Sequence, residues 1–175
     1  MLDNYIKINK LAEKDNNIEK QALDLLARLE KGDKKIIAKF KQVVDICING
    51  QKAIFSDMGI EYDKFDYESS YLWNKEINNV LNKLEATGKV FTDEHGRKVL
   101  NQEEFEFAMR ESLLVLTRAD GTSLYPLRDI AYNIDKIKKA EKNIVVLGED
   151  QKLYQQQVLA ALKILGYKLP ETIHY

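Results

Sequence analysis

The sequence predicts an α/β fold, an open sheet with parallel strands preceded by a long helical region, and three observations lead there. Two short apolar runs, LLVLT at 113–117 and IVVL at 144–147, are partly β-branched. They are long enough for buried strands and too short for helices. A helical stripe lies between them, so the two runs are expected to pair in parallel through a crossover helix. The first third of the chain shows helical periodicity with no strand-like run.

Residues 1–31 are charged and helical, with Ile18, Ala22, Leu25, Leu26 and Leu29 as the apolar stripe. Gly32-Asp33 punctuates the run, and Asp33 is a good N-cap for a longer helix carrying Ile36, Ile37, Phe40, Val43, Val44 and Cys47 as far as Met58. The two stripes predict a helical hairpin with paired apolar faces. Residues 60–65 read as a short strand, and Glu68-Ser69 as a turn or helix start. An amphipathic helix is expected over 72–86, with Trp73, Ile77, Val80, Leu81 and Leu84 inward. KVFTDEHGRKVL at 89–100 reads as a hairpin around Asp93-Glu94-His95-Gly96, and 102–107 as a linking turn. After the strand at 113–117, Asp120-Gly121 supplies turn chemistry. Pro126 suits the first turn of a helix bearing Leu127, Ile130, Ala131, Ile134 and Ile137. Gly148 closes the strand at 144–147. Leu153, Val158, Ala161, Leu162 and Leu165 form the last stripe, capped by Gly166.

Charge is balanced, 27 Lys plus Arg against 28 Asp plus Glu, so no overall basic field advertises nucleic acid. The single cysteine, Cys47, excludes a disulfide within the chain, fits a reducing compartment and is expected to be buried and inert. His95 reads as a solvated turn residue. With His174 as the only other histidine, no zinc set can be assembled from Cys and His. No apolar run approaches 18 residues. A soluble cytoplasmic protein without a membrane partner is expected.

In open α/β sheets, ligands bind beyond the carboxyl ends of the strands, which singles out 120–129 and 148–151. The residues there have structural readings of their own. Asp129 in the first turn of a helix suits the macrodipole. Tyr125 ahead of Pro126 serves as packing at the helix entry and Gln151 as an exposed polar residue opening a helix, while Arg128 is expected to be a solvated surface cation rather than a phosphate contact.

The run ADGTSLYPLRDIAY, followed after one helix by VVLGEDQKLYQQQ, resembles the arginyl-tRNA synthetase family of class I aminoacyl-tRNA synthetases. A DGT turn, L-Y, two variable residues and R-D-I-A-Y precede a V-x-G-x-D-Q segment. The similarity continues more weakly upstream through Ile60-Glu61-Tyr62-Asp63 and Glu68-Ser69, so it covers most of the chain. It implies that 112–175 form the second half of a Rossmann-like parallel-sheet catalytic domain. A helical hairpin region (1–59) and a strand-helix-hairpin connecting region (60–111) would precede it.

The resemblance also implies that Tyr125, Asp129 and Gln151 bind L-arginine. A guanidinium is planar, permanently charged and rich in donors, so a carboxylate accepting a bidentate pair is its natural partner, a role that falls to Asp129. Lysine or citrulline would leave that carboxylate badly paired. The whole enzyme would use ATP with Mg as co-substrate, form arginyl-adenylate and charge tRNA(Arg). Class I enzymes handle the phosphates with an H-I-G-H type motif and a K-M-S-K type loop, and neither occurs here. The chain is therefore expected to be an internal fragment lying between those signatures, with no catalytic residue, no metal site and no bound ATP or Mg of its own. Two other readings stay open: a stand-alone, synthetase-like arginine-binding module, and a helical interaction protein.

Overall fold

The computed structural model describes residues 2–72, 76–105, 107, 112–169 and 171–174, the last three without their side chains. Trp73, assigned above to a helix face, lies outside the described residues. The chain forms two compact units, 1–66 and 67–175.

The first unit holds α1 (Leu2–Ala12), α2 (Asn16–Glu30) and α3 (Lys34–Asp57). The charged first segment is thus two helices, and Asp15 caps the second by accepting from the Asn17 N–H at 2.9 Å. Asp33 caps α3 as expected, accepting from the N–H groups of Lys35 and Ile36 at 3.0 and 3.3 Å. Its other oxygen takes Arg28 Nη2 at 2.8 Å, which ties the α2–α3 turn together. Gly32 adopts φ +83° there, a conformation that other residues resist.

Two expectations fail in this unit. Residues 60–65 form no strand. Gly59 ends α3 at φ +69°, the Ile60 N–H returns to Phe55 O at 2.8 Å, and the ring of Tyr62 packs edge-on against Phe55 and Phe65 with centroids 5.1 and 5.7 Å apart. The aromatics that suggested a strand find their contacts locally. The face of α3 carrying Phe40, Val43 and Val44 is exposed, and Cys47 on the same helix is exposed too rather than buried. Of the two helical stripes, only Leu29 and Ile36 are buried.

The second unit opens with a 3₁₀ turn at Glu68–Tyr71, then α4 (Glu76–Ala86), β1 (Val90–Thr92), β2 (Lys98–Asn101) and β3 (Leu113–Val115). Next come α5 (Tyr125–Lys139), β4 (Ile144–Leu147), a 3₁₀ turn at Glu149–Gln151, α6 (Lys152–Ile164) and β5 (Glu171–His174). The hairpin forms where expected, pairing Val90 with Leu100 and Thr92 with Lys98. Asp93 organises its turn by accepting from the N–H groups of His95 and Arg97 at 3.0 and 2.8 Å.

Strand pairing differs from the expected scheme. The strand at 113–117 does not pair with β4. It shortens to β3 and joins β2 antiparallel, with Leu100 opposite Leu114. The parallel pair lies one element later, β4 with β5, joined through α6. Burial explains the error. Leu113 is exposed while Leu114 and Leu116 are buried, the one-sided alternation of an antiparallel strand rather than the two-sided burial of a parallel one. Along β4, Ile144 and Val146 are 53% and 63% exposed, so that strand also covers a single face.

The core gathers Leu84, Leu100, Leu116, Leu127, Ile130, Val158 and Leu162, all fully buried, from three helices, one strand and the segment following β3. Burying side chains of this size contributes roughly 1.5–3 kcal/mol each. That packing fixes α5 and α6 against one another. Among the described residues, no helix is long and apolar enough to cross a membrane.

Candidate functional site

The site grows from the start of α5. After β3, Thr117 bridges to Ser123 around the Asp120-Gly121 turn. Asp120 Oδ1 accepts from the Thr122 N–H at 2.9 Å and its hydroxyl at 2.6 Å, and Gly121 takes φ +81°. The Leu124 N–H then returns to Leu116 O at 2.8 Å, which aims α5 across the core. Buried Pro126 sits in its first turn. Tyr125 and Asp129 are four residues apart and share a helix face.

The helix begins at Tyr125, so Asp129 is its fifth residue, past the first turn where a macrodipole role is strongest. The dipole reading of Asp129 loses its footing there. Its carboxylate is instead partly buried, and Oδ2 accepts a hydrogen bond from the Tyr154 hydroxyl. Tyr154 lies in the first turn of α6 with its ring tilted against Tyr125, centroids 5.0 Å apart. Tyr125 itself is 54% exposed. Structure thus brings two of the three expected residues together, around a third that sequence reasoning passed over.

Gln151 is not drawn into that group. It is exposed and its Nε2 donates to Asp150 Oδ2 at 3.0 Å. The other oxygen of Asp150 lies 2.6 Å from where a side chain would begin at residue 148. A larger residue at 148 would turn the exposed Asp150 side chain away and break its bond to Gln151.

Arg128 is no solvated surface cation. Its side chain is 15% exposed, with Nε paired to Glu68 and Nη1 donating to Ser123 O at 2.9 Å and Ser123 Oγ at 3.1 Å. Glu68, expected at a turn or helix start, opens the 3₁₀ turn. It docks the 3₁₀ turn against α5, helped by Tyr71, whose hydroxyl donates to Asp135 Oδ2 at 3.1 Å.

The electrostatics follow from this packing. Burial pushes the Asp129 carboxyl above its ordinary value, and repulsion from Glu68 adds to that. The Tyr154 hydrogen bond, Arg128 and Lys136 oppose it without overcoming it. Tyr154 is pushed upward by burial, then by its bond to Asp129 and that group's charge, so it stays protonated and donates. Among the described residues no cation contacts Asp129. Arg128 is engaged by Glu68 and Ser123, while Lys136 Nζ sits 4.5 Å above the Tyr132 ring. A partly dry carboxylate with a neutral donor is suited to a cationic, donor-rich ligand. His95 is exposed at its hairpin tip. No cluster of three or more His, Cys, Asp or Glu side chains among the described residues could hold a metal ion.

Comparison with known proteins adds an independent line. The family described as tRNA synthetases class I (R), catalytic domain, matches residues 1–174. The arginine–tRNA ligase of Methanocaldococcus jannaschii is 40% identical over 178 aligned residues, covering 99% of this chain and 31% of that protein. The ligase of Methanococcus aeolicus is 39% identical, covering 98% and 30%. Among solved structures, the Thermus thermophilus arginyl-tRNA synthetase superposes with a TM-score of 0.69 at 21% identity, over 98% of this chain and 34% of that one. The Plasmodium falciparum arginyl-tRNA synthetase gives 0.70 at 14% identity, over 95% and 29%. At those identities the structures speak to fold alone. The chain spans about a third of the length of the relatives it matches.

Proposed function

The chain belongs to the class I arginyl-tRNA synthetase catalytic-domain family, and on that premise we propose that it supplies the side-chain recognition surface for L-arginine in an ATP-dependent arginine–tRNA ligase. The observation that carries the reading is Asp129, partly buried, bonded to a neutral phenol and out of contact with any described cation. A guanidinium would supply the missing positive charge. Two parallel N–H donors on one carboxylate make charge-assisted hydrogen bonds of about 1.5–3 kcal/mol each. Citrulline keeps the shape and loses the charge. Lysine keeps the charge and loses the fork, so either leaves the carboxylate underpaired. Tyr125, half exposed, would pack its ring along the aliphatic stem, and Gln151 would complete the polar set by exchanging its bond to Asp150 for one to the ligand.

The organisation extends the same reading. The β4–α6–β5 unit would be part of a larger Rossmann-like parallel sheet in the second half of the catalytic domain, with the pocket at the carboxyl end of β4. Residues 1–59 and 60–111 would be the helical hairpin and connecting regions before it. In the whole enzyme ATP would activate the arginine carboxylate and tRNA(Arg) would accept the aminoacyl group. The described residues offer no metal-holding cluster for the Mg that accompanies ATP, and no phosphate step is assigned to them. Their task is binding and orientation.

An NMR titration of the chain with L-arginine tests the proposal, with lysine and citrulline as controls and Asp129→Asn as the negative variant. Saturable shifts at Tyr125, Asp129 and Gln151, absent with the controls and lost in the variant, are expected. Equal responses to arginine and lysine, or an unaffected variant, would refute it.

A further inference from the structure

Tyr154 has no part in the expected site, yet its hydroxyl donates to the carboxylate at that site's centre. A free carboxylate turns easily about its last torsion, which is broad and roughly two-fold. A compact ammonium tolerates that freedom, because it is a point charge with rotatable donors. A planar guanidinium does not, since a bidentate pair requires the two planes to align. Whatever holds the carboxylate plane therefore favours arginine over lysine.

We propose that Tyr154 is the specificity-determining residue of this pocket: its hydroxyl holds the Asp129 carboxylate in the orientation that a forked, planar donor requires. The inference rests on the arginine reading above and adds to it the element that selects the fork.

The placement of Tyr154 supports that role. It sits on α6, which fully buried Val158 and Leu162 anchor in the core. Its ring is braced by Tyr125 at 5.0 Å, so the hydroxyl arrives at Asp129 Oδ2 from a rigid element. A carboxylate offers about four lone-pair sites. Tyr154 takes one on Oδ2, and among the described residues no other group donates to the rest. Because the phenol is neutral and remains protonated, it orients the charge without cancelling it. The nearby cation that could cancel it, Arg128, is bonded to Glu68 and Ser123 instead.

Tyr154→Phe isolates the hydroxyl while keeping the ring that braces Tyr125. The test measures arginine and lysine affinities for the 175-residue chain and its variant, together with the carboxyl ¹³C titration of Asp129 in both without ligand. The expected result is an arginine affinity about tenfold weaker, the scale of one lost hydrogen bond to a charged group. Lysine affinity should stay within about twofold, so that discrimination falls. The Asp129 midpoint should move upward, since a bond favouring the ionised form has gone. Equal losses for both ligands, or tighter arginine binding, would overturn the proposal; the second would mean that the hydroxyl blocks the seat of the guanidinium. An unmoved midpoint would overturn it without reference to any ligand. A wild-type chain that ignores arginine while its midpoint still responds to the substitution would sink the arginine reading and the specificity role with it. The Tyr154 contact would then be purely structural.

Discussion

Replacing Asp129 with Asn should stabilise the ligand-free fold at neutral pH. A carboxylate kept for ligand binding and one kept for structure predict opposite signs for this change. Asn retains a carbonyl for the Tyr154 hydroxyl, so a charge-assisted hydrogen bond of about 2 kcal/mol becomes a neutral one of about 1 kcal/mol. Against that loss, removing a partly buried charge recovers about 1–3 kcal/mol of desolvation, and repulsion from Glu68 disappears. Residual solvent at the site screens these terms, which leaves a net gain on the order of 1 kcal/mol, or about 2–4 °C in Tm for a chain of this size.

The pH dependence carries its own sign. Because the folded carboxyl is shifted upward, the folded state holds its proton more tightly than the unfolded state. Below the unfolded value of about 3.9 both states are protonated, and Asp129 costs nothing. As pH rises from there through the higher folded value, ionisation becomes unfavourable to folding and the cost develops in full. Thermal melts of the two proteins at neutral pH and near pH 3 should therefore differ only at neutral pH, with Asn the more stable. An Asn variant that melts lower at neutral pH would refute the reasoning and make Asp129 a structural anchor of α5.

Two further outcomes test the surroundings. Glu68→Gln removes the repulsion on Asp129, so the Asp129 midpoint read by carboxyl ¹³C NMR should fall, while stability drops by less than about 1 kcal/mol because Glu68 is half exposed. A rising midpoint would show that the charge of Glu68 is not what acts on Asp129. Leu127→Ala opens a cavity beneath the first turn of α5, where the native side chain is fully buried. Urea unfolding should show a loss of roughly 2–5 kcal/mol, and a loss under about 1 kcal/mol would contradict the packing described.

What could be read from the sequence was local. Asp33 before an apolar stripe, Asp93 to Gly96 between alternating runs, and Pro126 opening a helix each place their chemistry within a few residues, and each forms as expected. Strand partners are a non-local matter. Leu113 to Thr117 announces a strand but not its neighbour, and the one-sided burial that commits it to β2 depends on residues some fifteen positions earlier. The exposed face of α3 and Cys47 show the same limit, because apolar periodicity predicts a face without saying what covers it.

At the site, Tyr125 and Asp129 were legible because one motif carries both at helical spacing. Tyr154 stands in the VVLGEDQKLYQQQ segment three residues after Gln151, and its position there carries no ligand role by itself. A tyrosine at the start of an amphipathic helix, bearing a hydroxyl that needs a partner if buried, was the available signal. Arg128 was misjudged because its partner Glu68 is 60 residues away.

The most direct test of the central claim is the carboxyl ¹³C titration of Asp129 with and without saturating L-arginine. Pairing with a guanidinium should pull the midpoint down from its raised position in the free chain to below the ordinary carboxylate range. A midpoint that stays put while arginine binds elsewhere would show that Asp129 is not the group that reads the substrate.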